Sequence, residues 1–167
     1  MADPGVAPVP VDDGGTPTPA PAPTPTFCVV DVVRVEVALP SQFPVVELRQ
    51  ADPPYRELSV PVGMPEGVAL AYALEQMVTP RPLTHELFAT VLARLTADVV
   101  AVRVTGRRQG TYLAEIDLMG PRGRVVVDCR PSDGFVLAYR QAVPAPVLAD
   151  ERLFAGDGEV EPPPADG

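Results

Sequence analysis

The sequence predicts an α+β domain: a mixed, largely antiparallel sheet carrying about three helices, in a single domain with disordered tails. Three features lead to it. Prolines and acids crowd the two ends, so the middle reads as one compact unit. Runs of β-branched residues with period-two alternation recur through that middle. Helical patterns interrupt the strands singly instead of following each one, which argues against a doubly wound sheet.

The segment "MADPGVAPVPVDDGGTPTPAPAPTPT", residues 1–26, holds eight of the 23 prolines. It has little to bury and favours extended, polyproline-like conformations, so it is expected to be a disordered arm. "GDGEVEPPPADG", residues 156–167, reads as a disordered acidic tail in the same way. The folded domain is therefore placed at 27–155.

Strands come first. "FCVVDVVRVEVAL" (27–39) and "FPVVELRQ" (43–50) flank the turn "LPSQ", and "RELSVPVG" (56–63) is a shorter strand ending in glycine. "DVVAVRVT" (98–105), "TYLAEIDLM" (111–119) and "GRVVVDCR" (123–130) are joined by "GRRQG" and "GPRG" and read as an antiparallel meander. In the middle one, Tyr112, Ala114, Ile116 and Leu118 share a face, with Glu115 and Asp117 on the other.

Three helices are inserted. "PEGVALAYALEQMV" (65–78) opens on proline and carries Glu66 in its first turn. "THELFATVLARLTA" (84–97) has an apolar stripe of Leu87, Phe88, Val91, Leu92 and Leu95, with Thr84 as the expected N-cap. "SDGFVLAYRQA" (132–142) has Ser132 as the expected N-cap and Asp133 in the first turn.

Charge narrows the partners less than it first suggests. The net charge is −9, but the two tails hold seven of the 22 acids and none of the 13 arginines, leaving the domain near −2. There is no lysine, so every fixed cation is a guanidinium able to grip carboxylate or phosphate with two bonds. Arginine bias in a GC-rich genome explains the same fact more simply. No basic stripe announces nucleic acid, and none of the apolar runs is long enough to span a bilayer. The N-terminus shows no secretory pattern, so a cytoplasmic protein is expected. Cys28 and Cys129 lie far apart among valines and read as buried thiols.

Two short stretches concentrate the chemistry. "PRPLTHEL" (80–87) and "DCRPSDGF" (128–135) each put Arg-Pro ahead of a small hydroxyl residue and then an acid. Both look like helix starts, where a hydroxyl caps free N–H groups and an acid favours the positive end of the dipole. That covers Thr84 with Glu86 and Ser132 with Asp133, but neither Arg81, Arg130 nor His85, the single histidine. Arg81 and Arg130 could cross to an acid of the other turn, or converge with the helix N-termini on a phosphate. His85 could accept a proton, bind a metal or simply pack at the surface. Asp128 ends a strand, where rigid backbone fixes a side chain beside loops. If two of Glu66, Glu86, Asp128 and Asp133 converge, they could hold a magnesium ion that activates water.

"RPLTHEL" followed by "VDCRPSDGFVLAYR" resembles the bifunctional nuclease domain family, formerly a domain of unknown function. That family's pattern runs from a Gly-x-x-Glu-Ala helix to Arg-Pro-Leu-Thr-His-Asp-Leu and then Asp-x-Arg-Pro-Ser-Asp-Ala-Ile-Ala-Leu-Ala. Gly63 and Glu66 fit the first motif. Arg81, Pro82, Leu83, Thr84, His85 and Leu87 fit the second, and Asp128, Arg130, Pro131, Ser132, Asp133, Leu137 and Ala138 the third. The resemblance covers about 45–155. Glu86 stands where the family has Asp, Gly67 and Gly134 replace alanines that favour helix, and Phe135-Val136 replaces Ile-Ala. "PAPVLADERLF" departs from the family's more apolar closing strand.

The resemblance implies a nuclease acting on RNA, DNA or both. The expected catalytic set is His85, Asp128, Asp133 and Glu86. Arg81 and Arg130 would bind phosphate, with Glu66, Thr84 and Ser132 in support. Magnesium or manganese is the expected cofactor, with Glu86, Asp128 and Asp133 as candidate ligands. We expect nucleic acid as substrate partner, a homo-oligomer and no membrane. The rivals are a non-catalytic dimerisation or interaction module, and a nucleotide-binding domain in which the same motifs are structural.

Overall fold

A computed structural model describes residues 24–37, 42–156 and 158–163. The expected N-terminal arm up to residue 23 and the last four residues lie outside the described residues. Strands β1 (Phe27–Glu36), β2 (Val45–Gln50) and β3 (Glu57–Pro61) come first, then helices α1 (Met64–Leu74) and α2 (Thr84–Arg94). Next are β4 (Asp98–Arg108), β5 (Thr111–Gly120), β6 (Gly123–Cys129) and helix α3 (Pro131–Tyr139). A short β7 (Val147–Asp150) and a 3-10 turn (Glu151–Ala155) close the order.

The seven strands form one open sheet in the order β3-β2-β1-β7-β4-β5-β6. Every neighbouring pair is antiparallel except β4 with β7. The fold is therefore α+β, with a mixed, mostly antiparallel sheet and three α-helices. β7 escapes sequence reading because "VLAD" is four residues long, follows two prolines and lacks alternation. Its place is fixed from both sides: it pairs with β1 and β4, and Val102 N–H donates to Pro146 O at 3.0 Å.

Alternation along β5 behaves as expected on one face, where Tyr112, Ala114 and Ile116 are buried. On the other face Asp117 is buried as well. Arg124 covers it with bonds of 2.6–2.9 Å, and Arg103 stands 3.5 Å away. These guanidiniums, Arg124 first, hold the Asp117 carboxyl below the usual carboxylate range. The turn after β4 places Gln109 at φ 50° and Gly110 at φ 75°, the pair of positive angles that lets a two-residue hairpin follow the strand twist.

The helices behave differently from one another. α3 is apolar nearly all round and is buried accordingly, packed against α1, α2, β4 and β5. α2 carries the stripe seen in the sequence, yet only Leu92 of it is buried. Leu87, Phe88, Val91 and Leu95 are between 41% and 65% exposed, so this stripe does not seat α2 on the core of its own chain.

Gly67 and Gly134 read in the sequence as weak points in two helix starts. The packing gives them a second role. A β-carbon at Gly134 would stand 2.6 Å from Val102 Cγ1, and one at Gly67 would stand 2.8 Å from Pro44 Cβ. α3 lies so close on β4 that a methyl group has no room. Gly134→Ala is expected to destabilise the fold by about 1–3 kcal/mol in thermal or urea melts, despite alanine's better helix propensity. Adding Val102→Ala should recover part of that loss. Past residue 155 the chain keeps touching the domain: Val160 is buried and pairs through its backbone with Arg107, and Arg108 meets Glu161 at 2.6 Å.

Candidate functional site

Both chemical stretches fold as helix starts, capped one residue earlier than expected at α2 and two residues earlier at α3. The N-caps are Leu83 and Arg130, each with extended backbone, so Thr84 and Ser132 are helical residues and neither hydroxyl caps its helix. Pro131 takes the first position of α3, where its missing N–H loses nothing. At α2 the cap is reciprocal only in half: Leu83 N–H donates to Glu86 Oε2 at 2.9 Å, while a leucine side chain has nothing to return.

The two helix starts meet. His85 Nε2 lies 2.9 Å from Asp133 Oδ1, linking residues 48 apart in the chain. The pair is half sheltered, the side chains being 17% and 35% exposed. Both line a hollow of about 430 Å³ with Thr84, Asp128 and Cys129, over a largely apolar floor that includes Phe88 and Ile116. A carboxylate only accepts, so Nε2–H is the donor to Asp133; the neutral form of the ring then carries its lone pair on Nδ1, and the carboxylate fixes ring orientation. Asp128 borders this hollow from the sheet. Its cross-strand partner is Glu115, so alternation turns it to the face opposite Val127 and Cys129.

The remaining candidates stand elsewhere. Glu86 sits outside the His85 hollow, where Thr79 Oγ1 at 2.7 Å and Leu83 N–H at 2.9 Å hold Oε2, and Arg140 Nη2 lies 2.7 Å from Oε1. Arg140 Nη1 also donates to Met77 O, so the cluster ties the α1–α2 linker to the end of α3. Arg81 is exposed and does not line the hollow; its carbonyl competes with Glu86 for the single Thr79 hydroxyl proton. Arg130 is 77% exposed, 3.6 Å from Glu66 Oε1. Arg130, Glu66 and Ser132 border a second hollow of about 540 Å³, with Phe43, Val60 and Tyr112. The two arginines thus do not converge on His85. Among the described residues, no three His, Cys, Asp or Glu side chains gather as a metal cage, and Glu86 is too engaged with Arg140 and Thr79 to join one.

Two further groups stand at these clusters that the sequence did not mark as site residues, one of them Cys129, expected to be a buried thiol and found partly exposed. Cys129 lines the hollow, but burial first, then Asp133 and Asp128, push its thiol up to about 12. It stays protonated at neutral pH and is no nucleophile. Arg140 lies in the quoted "VLAYR" run, yet only the folded chain reveals that it faces Glu86.

Thr79 foremost, then Leu83 N–H, and to a lesser degree Arg140, hold the Glu86 carboxyl below its ordinary value. A depressed carboxyl stabilises the fold fully above the ordinary value near 4.5 and loses that contribution as pH falls through the lower, folded value. Glu86→Gln should therefore flatten the acid limb of a stability–pH curve below about pH 4.5, and cost on the order of 1–2 kcal/mol at neutral pH. Chemical denaturation at stepped pH reads both.

An open α+β sheet whose two motif-bearing helix starts meet in a His–Asp pair defines the class of this protein. The chain belongs to the bifunctional nuclease domain family: residues 46–161 match the bifunctional nuclease domain. It is also similar to uncharacterized proteins of Mycobacterium tuberculosis, from strains CDC 1551 / Oshkosh and ATCC 25618 / H37Rv. Each is 34% identical over 137 residues, covering 82% of this chain and 80% of the relative. No helix among the described residues is long and apolar enough to cross a membrane.

Proposed function

We propose that this protein is a phosphodiesterase that cleaves RNA or DNA, with His85 as general base and Asp133 as the group that orients it. The observation that carries this reading is the 2.9 Å contact between His85 Nε2 and Asp133 Oδ1 at a half-sheltered hollow. Phosphodiester hydrolysis needs a proton taken from attacking water as its oxygen bonds to phosphorus, and a proton returned to the leaving oxygen. Nδ1 of His85 would take the first proton, and solvent water would supply the second to the leaving oxygen. The Asp133 carboxylate would then stabilise the imidazolium that forms, much as an acid does behind a catalytic histidine in other hydrolases. The apolar floor of the hollow suits a base or sugar face, and Asp128 would bound the substrate at the sheet edge.

Magnesium or manganese would supply charge neutralisation at phosphate. Because these residues do not form a closed cage, such an ion would draw on one or two carboxylates plus water and substrate phosphate. No step above depends on it. The test incubates purified protein with labelled single-stranded RNA and DNA, with and without each metal, beside His85→Ala and Asp128→Asn. Loss of cleavage in His85→Ala supports the reading, and equal cleavage in all three proteins contradicts it.

A second reading has its own support. Glu86 with Arg140, and Arg130 with Glu66, spend motif residues on internal pairing, as a non-catalytic module would. It predicts nucleotide or partner binding without turnover, and stability loss from Arg140→Lys.

A further inference from the structure

We infer that two copies of this chain join edge to edge along β6, about a two-fold axis through Val126, placing Arg124 of the second copy opposite Asp128 of the first. This inference is independent of the nuclease reading.

The two edges of the sheet differ. β3 is short and carries Pro61, a common way to stop an edge from pairing. β6 is seven residues long and has no proline, lysine or bulge, and Val125, Val126 and Val127 are between 42% and 53% exposed, on both faces. The exposed stripe of α2 adds Leu87, Phe88, Val91 and Leu95. α2 borders β6 at the His85 hollow, where Phe88 and Val127 line the same space. Monomers seldom expose contiguous apolar patches beyond a few hundred Å².

The backbone and the charges select the partner. β5 and β6 are closed by Gly120 with Gly123 across the two-residue loop, which must be a hydrogen-bonded pair. Alternation from there gives residues 125 and 127 to β5 and turns the N–H and C=O of 124, 126 and 128 outward. "RVVVD", residues 124–128, is self-complementary about its centre. An antiparallel copy centred on Val126 sets Val126 against Val126, and Arg124, which also covers Asp117 of its own chain, against Asp128 twice, as outward-facing hydrogen-bonded pairs. Shifting the register by two residues sets Asp128 against Val126 in one direction and against Arg122, in the turn before β6, in the other, so only the centred register pairs both charges within the strand. An unrelated strand has no reason to match this order, so the occupant is a second copy. The pairing walls the His85 hollow along β6, whereas the Arg124–Asp128 pairs lie on the opposite face of the sheet.

The test is the mass of the full chain in solution, by light scattering or sedimentation over a hundredfold concentration range. Wild type should run at twice 17.7 kDa. Val126→Pro removes one outward N–H that no neighbour within the chain uses, so it should run as a folded monomer by circular dichroism. Should that variant not fold, Val126→Cys decides: with a mild chemical oxidant it should cross-link to itself, while Val125→Cys alone should not, because its opposite position is residue 127. A monomeric wild type at every concentration, a dimer that survives in folded Val126→Pro, or failure of Val126→Cys to cross-link each overturns the inference.

Discussion

Replacing His85 by alanine is expected to lower nucleic-acid cleavage by about 10²–10⁴-fold, the range a positioned general base contributes. In free energy that is about 3–5 kcal/mol of transition-state stabilisation. Folding should hardly notice. The His85–Asp133 contact is half sheltered, and a partly exposed pair of this kind adds about 1 kcal/mol or less to stability. Asp133→Asn should lose most of the same rate. An amide can turn its N–H₂ toward Nε2, which moves the ring proton to Nδ1 and removes the acceptor. A cleavage assay paired with a thermal melt separates this from unfolding. A His85→Ala protein that melts near wild type yet cleaves at wild-type rate contradicts the assignment.

Phe135→Ala is expected to have the largest effect on stability. Phe135 has no exposed surface and is a large side chain on the helix that carries Asp133. Removing a fully buried phenyl leaves a cavity and typically costs about 3–5 kcal/mol. For a domain of this size that lowers Tm by more than about 10 °C. Activity should fall with it, because Asp133 sits two residues from the anchor that fixes α3 on the sheet. A Tm change within two or three degrees would mean that α3 is held by something other than this packing.

Much of the fold was legible because alternation and helical periodicity are local signals. Tyr112, Ala114 and Ile116 announce a buried strand face, and all three helices were found within a few residues of their ends. β7 was not legible, since four residues between two other strands draw their stability from neighbours distant in sequence. The stripe on α2 shows the converse. Its periodicity correctly gave a helix, but periodicity cannot say which surface the stripe meets, and within one chain most of it stays about half exposed.

The candidate site was half legible for the same reason. The catalytic set that the resemblance implied held both His85 and Asp133, and the contact between them brings the two motifs face to face. Which acid pairs with which arginine is a matter of distance in space. Glu86 meets Arg140 and Arg130 meets Glu66, and neither spacing hints at it. The glycines are a third case: propensity marks Gly134 as a weakness, whereas the closeness of Val102 makes it a requirement.

The most direct measurement is cleavage of a fluorescent single-stranded oligonucleotide across the size-exclusion peak of the wild-type protein, repeated with His85→Ala purified identically. Cleavage that follows the protein concentration fraction by fraction and vanishes in the variant is the expected result. Cleavage that separates from the protein peak, or persists undiminished without the imidazole, would contradict a hydrolytic role for the His85–Asp133 pair.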